Sequence, residues 1–446
     1  MISKMFSNRE LKQMIIPLFF EQLLVMFVGI ADTLIVSYAG EAAVSGVSLV
    51  NQFNTIFIYL FTALASGGAV VISHYIGRGA ADDAGEAASQ LLLFSTVFSA
   101  VLGVLILVGS GRILYLMFGR VDKNVMKACQ TYLKISAYSY PAIAIYNSGA
   151  ALIRSTGKTS ITMYLSAISN VINIVGNIIG VFVLKAGVAG VAWPSLISRT
   201  FSAAAITVIC FSHKREVFYS CKWIFQWNGV LMKHILGIAI PNGLENGVFQ
   251  LVKVALSSIV ALFGTYQIAA NGVAQSIWSM AALAGVTMGP VFITVIGQCM
   301  GKKNVSQADY YFKKLMKITI VFSVIWNLFI FLMTPVFLRF YVLESETKRL
   351  VIWLVLVHNV FNAVAYPFSG ALSFGLRAAG DVKFTMCISI ISTLAVRLVF
   401  SYILSIILNM GVLGIAFAMA GDWCFRAVIF YVRYKSGKWK EFSVIG

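Results

Sequence analysis

Residues 20–40 read FEQLLVMFVGIADTLIVSYAG, an apolar stretch that carries two carboxylates, Glu21 and Asp32. About twenty mostly apolar residues are enough for a helix to cross the hydrocarbon core of a bilayer. At 100° per residue the two acids return to nearly the same side of a helix, about 16 Å apart. The stretch therefore predicts a transmembrane helix that has a structural or functional reason to hold charge.

The composition extends this interpretation to the whole chain of 446 residues, of which 59% are hydrophobic and 11% charged. Soluble globular domains carry about 25% charged residues, so a water-soluble protein is excluded. We predict an all-α polytopic membrane protein with twelve transmembrane helices in two pseudo-symmetric six-helix lobes. The spans are placed near residues 13–38, 44–75, 87–109, 128–152, 159–184, 188–211, 235–262, 267–298, 313–337, 350–375, 382–408 and 412–434.

The net charge of +18 reflects membrane topology rather than nucleic-acid binding. With the N-terminus inside, 21 of the 34 Lys and Arg residues fall on the inner side and 8 on the outer side. This asymmetry predicts that both termini are cytoplasmic. No basic stripe or RNA-binding signature is present, so no nucleic-acid partner is expected.

An internal repeat appears when the chain is shifted by 224 residues. Glu21 then falls on Glu245, and GVAGVA from Gly187 falls on GVLGIA from Gly411. Arg154 falls on Arg377 one residue out of step. Parallel repeats are a design of secondary transporters. We predict an N-lobe (1–212), a cytoplasmic linker (213–234) and a C-lobe (235–446).

Four carboxylates are embedded in the spans: Glu21, Asp32, Glu245 and Asp422. Each costs about 2.5–3.5 kcal/mol at the centre of a span unless it has a partner, a proton or a wet cavity. Glu21 and Glu245 are interpreted as protonatable or Na⁺-binding groups, with a structural ion pair as the alternative. Asp32 has an apolar residue at its repeat position, which favours a functional role. Asp422 lies four residues before Arg426 and is expected to form a salt bridge.

Polar and basic residues within the spans add further candidates. Asn173 and Asn177 are four residues apart and share a helix face, where they either line a polar pocket or bond a neighbouring helix. Lys253 and Arg397 either pair with Glu245, line a cavity of the second lobe, or extend to the membrane surface.

Several classes of function lack any supporting pattern. The sequence contains no Walker A, HExxH, GxSxG or CxxC motif, and its four histidines have no metal-ligand spacing. We therefore expect no enzyme activity, no catalytic residue and no cofactor apart from a coupling ion.

Several segments, in their order, resemble the multidrug and toxic compound extrusion (MATE) transporters. They are GIADTLIVSYAGEAAVSGVSL from Gly29, ALIRSTGKT with GLRAAGDVK, and GVAGVAWPS with GVLGIAFAM. The resemblance covers nearly the whole chain. It implies secondary active efflux of amphipathic, often cationic small molecules in exchange for Na⁺ or H⁺, by a monomer in a bacterial-type inner (plasma) membrane.

The resemblance also implies roles for individual residues. Asp32 matches the coupling aspartate of the first span, and Asn173 matches a residue of the same cation pocket. Asn177 stands where many members have an aspartate, Ser195 where some have a threonine, and Glu245 matches the carboxylate of the seventh span. The tenth span lacks the aspartate of some members and carries His358, Asn359 and Asn362 instead.

Together, these arguments predict a set of cation-coupling and substrate-binding residues. The set is Asp32, Glu245, Glu21, Asn173, Asn177, Ser195 and Lys253. A transient Na⁺ at Asp32, Asn173 and Asn177, or at Glu245, is the only metal expected.

Two other functions stay open at this point. A flippase for a lipid-linked oligosaccharide or a related amphiphile would need a cavity richer in Lys and Arg than the four embedded acids suggest, although Lys253 and Arg397 keep this alternative open. A signalling or scaffold protein that retains a transporter body would tolerate neutralisation of the embedded carboxylates.

Overall fold

The computed structural model describes residues 5–119, 121–341 and 343–445, and the regular structure of these residues is helical throughout. They form two compact units, one of Asn8–Gly243 and one that begins at Leu244 and includes residues 5–7. The division lies within a helix that begins at Gly229, whereas the sequence placed it in a linker at 213–234.

The first unit contains eight helices and the start of a ninth. Their bounds are α1 Asn8–Ser37, α2 Glu41–Arg78, α3 Ala81–Phe118, α4 Lys123–Tyr138, α5 Tyr140–Ser155, α6 Thr159–Ile178, α7 Ala189–Cys210, α8 Cys221–Phe225 and α9 Gly229–Val260. A π-helical turn, Ile179–Val183, extends α6. Helix α1 packs along α6, and α6 packs along α7.

The second unit begins within α9. The helices that follow are α10 Thr265–Ala281, α11 Leu283–Gly301, α12 Val305–Phe337, α13 Ser345–Val364, α14 Leu372–Ala378, α15 Val382–Ile391, α16 Phe400–Tyr402 and α17 Val412–Lys435. The π-helical segments are Pro367–Ala371, Ser392–Val399 and Ile403–Ile407, and short 3₁₀ turns are Leu338–Phe340 and Lys438–Glu441.

Every predicted span coincides with a helix or with consecutive helical pieces, which confirms the all-α fold class. Eight helical stretches among the described residues are long and apolar enough to cross a membrane, and α13 with Pro367–Ala378 adds a ninth that is bent by 50°. The bend lies at Pro367, which cannot donate a backbone hydrogen bond and so interrupts the helix. The fourth and eighth spans are broken as well, at Ser139 and Ala282.

The predicted linker belongs to the first unit and packs against α3. Helix α8 contacts α3, and the Gln90 side-chain amide of α3 donates to the Gln226 carbonyl oxygen over 2.6 Å. Asn228 adds a bond from its amide to Glu86 Oε1 at 2.8 Å. These contacts hold the segment between α7 and α9 in a defined position.

Residues 5–7 belong to the second unit. The Phe6 backbone N–H donates to the Tyr311 hydroxyl over 2.7 Å, and that hydroxyl donates to the Phe6 carbonyl over 2.8 Å. The predicted N-lobe began at residue 1, but residues 5–7 belong to the compact unit that contains α12.

Candidate ion and substrate sites

A chain of hydrogen bonds joins three helices of the first unit around Asp32. The Asn177 amide donates to Asp32 Oδ1 over 2.7 Å and to Asn173 Oδ1 over 3.2 Å. Asn173 in turn donates to Ser195 Oγ over 3.1 Å. The structure thus brings together four of the seven predicted site residues, one on α1, two on α6 and one on α7.

The close approach of α6 and α7 supports this chain. A Cβ atom added to Gly190 would lie 2.6 Å from the backbone carbonyl of Gly180, and one added to Gly176 would lie 2.7 Å from Pro194 Cβ. Only glycine allows the two backbones to come this near. Since Ser195 follows this contact by about one turn, its hydroxyl is held opposite Asn173.

The Asp32 cluster offers oxygen atoms to a small cation. Asn173 and Asn177 are buried, and Asn177 Oδ1 has no hydrogen-bond partner among the described residues. Asp32 makes no ion pair with any residue that the structure describes. Hard cations prefer carboxylate, amide and hydroxyl oxygens. The cluster has the donor atoms for Na⁺ and, in the carboxylate, a group that can instead take a proton.

Glu21 lies in a separate cluster on α1. Its Oε1 accepts from Arg154 Nη2 over 2.6 Å, and its Oε2 accepts from the Thr162 hydroxyl over 2.8 Å. The residue is 3% exposed. Arg154 both donates a hydrogen bond to Glu21 and balances its charge, which explains why a buried carboxylate is stable there. The alternative of a structural ion pair therefore describes the geometry of Glu21.

Glu245 has the corresponding arginine as its partner in the second unit. Arg377 Nη2 donates to both of its carboxylate oxygens, over 2.8 and 2.6 Å, and Arg377 Nε donates to the Thr385 hydroxyl over 3.3 Å. The sequence offered Lys253 as the partner of a structural pair, and this partner is wrong. The arginine is the repeat mate of Arg154, and Thr385 is that of Thr162.

Asp422 is the charged residue most completely buried in the second unit. Its carboxylate accepts from Arg426 over 2.6 Å and from the Ser392 hydroxyl over 2.6 Å, and Arg397 Nη1 lies 3.6 Å away. The predicted bridge between Asp422 and Arg426 is confirmed. Arg397 joins it from the π-helical segment Ser392–Val399.

A cavity of about 250 Å³ lies within the second unit. Lys253 and Arg397 both line it, so the interpretation of these residues as cavity-lining is confirmed and their pairing with Glu245 is not observed. The other lining residues are Phe249, Leu256, Ser257, Val260, Asn271, Gln275, Ser276, Trp278, Ser279, His358, Ile415, Ala416 and Met419.

The polar residues of the tenth span are divided between two places. His358 lines the cavity. The Asn359 amide donates to the backbone carbonyl of Asn327 in α12 over 3.1 Å, and the Asn362 amide donates to Asn327 Oδ1 over 2.9 Å. Sequence reasoning missed Asn327 and Trp278. The partners Arg154 and Arg377 were visible as a repeated pair, but their link to Glu21 and Glu245 was not.

The MatE family model matches the chain twice, over residues 17–179 and 241–403. These two ranges are related by the same shift of 224 residues that the sequence repeat shows, so the duplication is confirmed. Together they cover well over half of the chain.

Individual proteins and structures agree with this match. The chain is similar to the uncharacterized transporter YisQ of Bacillus subtilis, with 26% identity over 434 residues that cover 95% of this chain and 93% of YisQ. It is similar to the probable multidrug resistance protein NorM of Thermotoga maritima, with 25% identity over 448 residues, 98% of this chain and 94% of that protein.

A solved structure described as the outward-facing conformation of a multidrug resistance MATE family transporter has the same fold. Its TM-score is 0.88 at 20% identity, with 97% of this chain and 96% of that chain covered. The duplicated match and the shared twelve-helix fold lead to one assignment: the chain belongs to the MatE family, the MATE transporters.

Proposed function

We propose that this MATE transporter is a secondary active antiporter that exports amphipathic small molecules in exchange for Na⁺ or H⁺. The observation that carries the proposal is the hydrogen-bonded chain from Asp32 through Asn177 and Asn173 to Ser195. It provides a carboxylate that makes no ion pair with any described residue, inside a span where an unpaired charge needs an ion or a proton.

The coupling ion would act by changing the charge of this cluster. A cation bound between Asp32, Asn177 and Ser195 neutralises the carboxylate and connects α1 to α6 and α7. Release of the ion leaves the charge unpaired and favours a different arrangement of these helices. Two states with different ion affinities are sufficient for exchange.

The membrane gradient supplies enough energy for useful export. One elementary charge that crosses 100 mV yields about 2.3 kcal/mol, which corresponds to about 50-fold accumulation. Two charges would give roughly 2,500-fold.

The substrate class is supported by the relatives, since several of them are named as probable multidrug resistance proteins. We infer a multi-pass protein of the plasma membrane with both termini in the cytoplasm, because Lys and Arg concentrate in the loops on that side.

We assign Glu21 and Glu245 to a different role, that of fixing helices. Each is held by an arginine at 2.6 Å, so a coupling cation would first have to displace a guanidinium. Asp32 forms no ion pair with a described arginine, and its cluster is therefore the better candidate for the coupling site.

The test is efflux of a fluorescent amphiphile from liposomes under an imposed Na⁺ gradient and, separately, a pH gradient. Asp32→Asn should reduce gradient-driven efflux at least tenfold. Asp82→Asn is the matched control, since Asp82 is exposed in the first turn of α3. Efflux by the Asp32→Asn protein at the wild-type rate would overturn the proposed coupling site, and no efflux by folded wild-type protein under either gradient would overturn the antiport itself.

A further inference from the structure

The cavity of the second unit is basic. Lys253 and Arg397 line it, and none of its lining residues is an Asp or a Glu. Lys253 makes no ion pair with any described residue. Arg397 lies 3.6 Å from the Asp422 carboxylate, which Arg426 contacts more closely, at 2.6 Å. Two guanidinium groups and one carboxylate leave a net positive charge beside the ammonium of Lys253.

Buried hydrogen-bonding groups in the cavity wall have no partner. His358 is 1% exposed, and both of its ring nitrogens lack a hydrogen-bond partner among the residues that the structure describes. The indole N–H of Trp278 is also buried and without a partner there. An unsatisfied buried polar group costs about 1–3 kcal/mol. Two such side chains in one cavity wall therefore point to a ligand that accepts hydrogen bonds.

The repeat shows that three residues of the cavity wall occupy positions that belong to the Asp32 cluster in the first unit. The shift of 224 residues places Asp32 on Leu256, Asn173 on Arg397 and Ser195 on Met419. Leu256, Arg397 and Met419 all line the cavity. The acidic and amide positions of the first unit have thus become apolar and cationic positions in the second.

Arg397 is held in place rather than free to move away. Its guanidinium lies 4.8 Å from the centre of the Phe249 ring, which also lines the cavity. The Asp422 carboxylate is its second contact, 3.6 Å from Arg397 Nη1. It belongs to the π-helical segment Ser392–Val399, and π-helical turns are frequent at functional sites.

We propose that this cavity binds the anionic group of an amphipathic small molecule. Lys253 and Arg397 would hold a carboxylate, sulfonate or phosphate, and Trp278 and His358 would donate to its oxygens. The apolar wall would take the adjoining hydrocarbon part. A volume of about 250 Å³ holds roughly eight waters at ~30 Å³ each, enough for a charged head and a small apolar group. The identification of this ligand as a transported substrate rests on the proposed antiport function.

The proposal changes the expected substrate. The resemblance to the family implies amphipathic molecules that are often cationic, whereas two cations in this cavity would repel a positive head group. Anionic or zwitterionic amphiphiles are the class that the second unit favours.

Binding of two probes to the purified full-length protein tests the inference. Dansylglycine and dansylethylenediamine share an aromatic body and carry opposite charges, and energy transfer from tryptophan, including Trp278, reports their binding. Wild-type protein should bind dansylglycine more tightly than the ammonium probe. Stronger binding of the ammonium probe to the wild type would overturn the proposal without reference to any variant.

Lys253→Met isolates the contribution of the cavity charge. It should weaken dansylglycine about tenfold in Kd, which is about 1.4 kcal/mol. Lys233→Met is the matched control, because Lys233 is an exposed lysine on the same helix that does not line the cavity. Equal Kd values for dansylglycine in the wild type and the Lys253→Met protein would overturn the assignment.

Two further measurements identify the source of the anion and separate the proposals. Nanodiscs that contain phosphatidylglycerol should lower dansylglycine affinity relative to phosphatidylcholine if the ligand is a lipid head group, and a soluble anion is indicated if they do not. Preferential binding of dansylglycine with no gradient-driven efflux would support the anion site and overturn the antiport function. Gradient-driven efflux with no preference for dansylglycine over the ammonium probe would support the antiport function and overturn the anion site.

Discussion

Four embedded carboxylates differ in the charge of the groups that bind them. Glu21, Glu245 and Asp422 each accept from a guanidinium at 2.6 Å, whereas Asp32 accepts from a neutral amide. A buried carboxylate that is paired with arginine has its charge satisfied and gains little from an ion. Among the described residues no guanidinium contacts Asp32, so it is the carboxylate that an external cation or proton can reach without displacing an arginine.

The same distinction predicts opposite effects of neutralisation on stability. Glu245→Gln should lower the free energy of unfolding by about 3–5 kcal/mol, because it leaves the buried Arg377 unpaired. Arg377→Met should be similarly harmful, and the double variant should recover much of the loss, since neither charge remains. Unfolding in detergent, followed by circular dichroism, measures all three.

Asp32→Asn serves as the comparison for that series. An amide can replace the carboxylate without breaking an ion pair between described residues, so this variant should unfold within about 1 kcal/mol of the wild type. If Glu245→Gln were as stable as the wild type, the assignment of Glu245 to a structural ion pair would be wrong.

At the scale of elements, the site depends on how closely α6 and α7 can approach. The contact of Gly180 with Gly190 brings two backbones together where a side chain would collide, and the hydrogen bond from Asn173 to Ser195 spans the same pair of helices. Gly414 is the repeat mate of Gly190, and a Cβ there would lie 2.6 Å from the Leu404 backbone. The duplicated GVxGxA motif therefore specifies a helix crossing in each unit.

Gly190→Leu should separate α6 from α7 and destabilise the protein by about 1–3 kcal/mol, the usual cost of overpacking. Because the Asn173–Ser195 bond would lengthen, Na⁺- or H⁺-driven efflux should fall more than the folded fraction does. Gly111→Leu on α3 is the control, since a Cβ there meets nothing within 4 Å. If efflux per folded molecule were equal in the Gly190→Leu protein and the wild type, the close crossing of α6 and α7 would not be needed for the coupling site.

At the scale of the whole molecule, sequence period and polarity predicted the order of the helices and the repeat. They could not predict which helices are neighbours. Glu245 and Arg377 are 132 residues apart in sequence, and Asp32 and Asn177 are 145 apart. Such contacts depend on tertiary packing, which a hydrophobic pattern does not encode. The pairing of Asn173 with Asn177 was predictable, because residues four apart on one helix are local neighbours.

The orientation that the charge distribution predicts can be tested with a cysteine of the chain itself. Cys221 in α8 is free and exposed, and it lies in the basic segment between α7 and α9 that is predicted to face the cytoplasm. Cys129, Cys210 and Cys299 are buried, so they should not react. Cys387 is exposed on a predicted membrane span, where lipid should keep a water-soluble reagent from reaching the thiol.

A membrane-impermeant maleimide should therefore label Cys221 in inside-out vesicles and leave it unlabelled in right-side-out vesicles, as read by a mass shift. Lys123→Cys in a Cys221→Ser background is the matched control, because Lys123 is exposed at the start of α4 and is expected on the opposite side. It should show the reverse pattern. Labelling of Cys221 from outside would invert the topology and would require that the positive-inside rule fail for a chain with 21 basic residues on one side and 8 on the other.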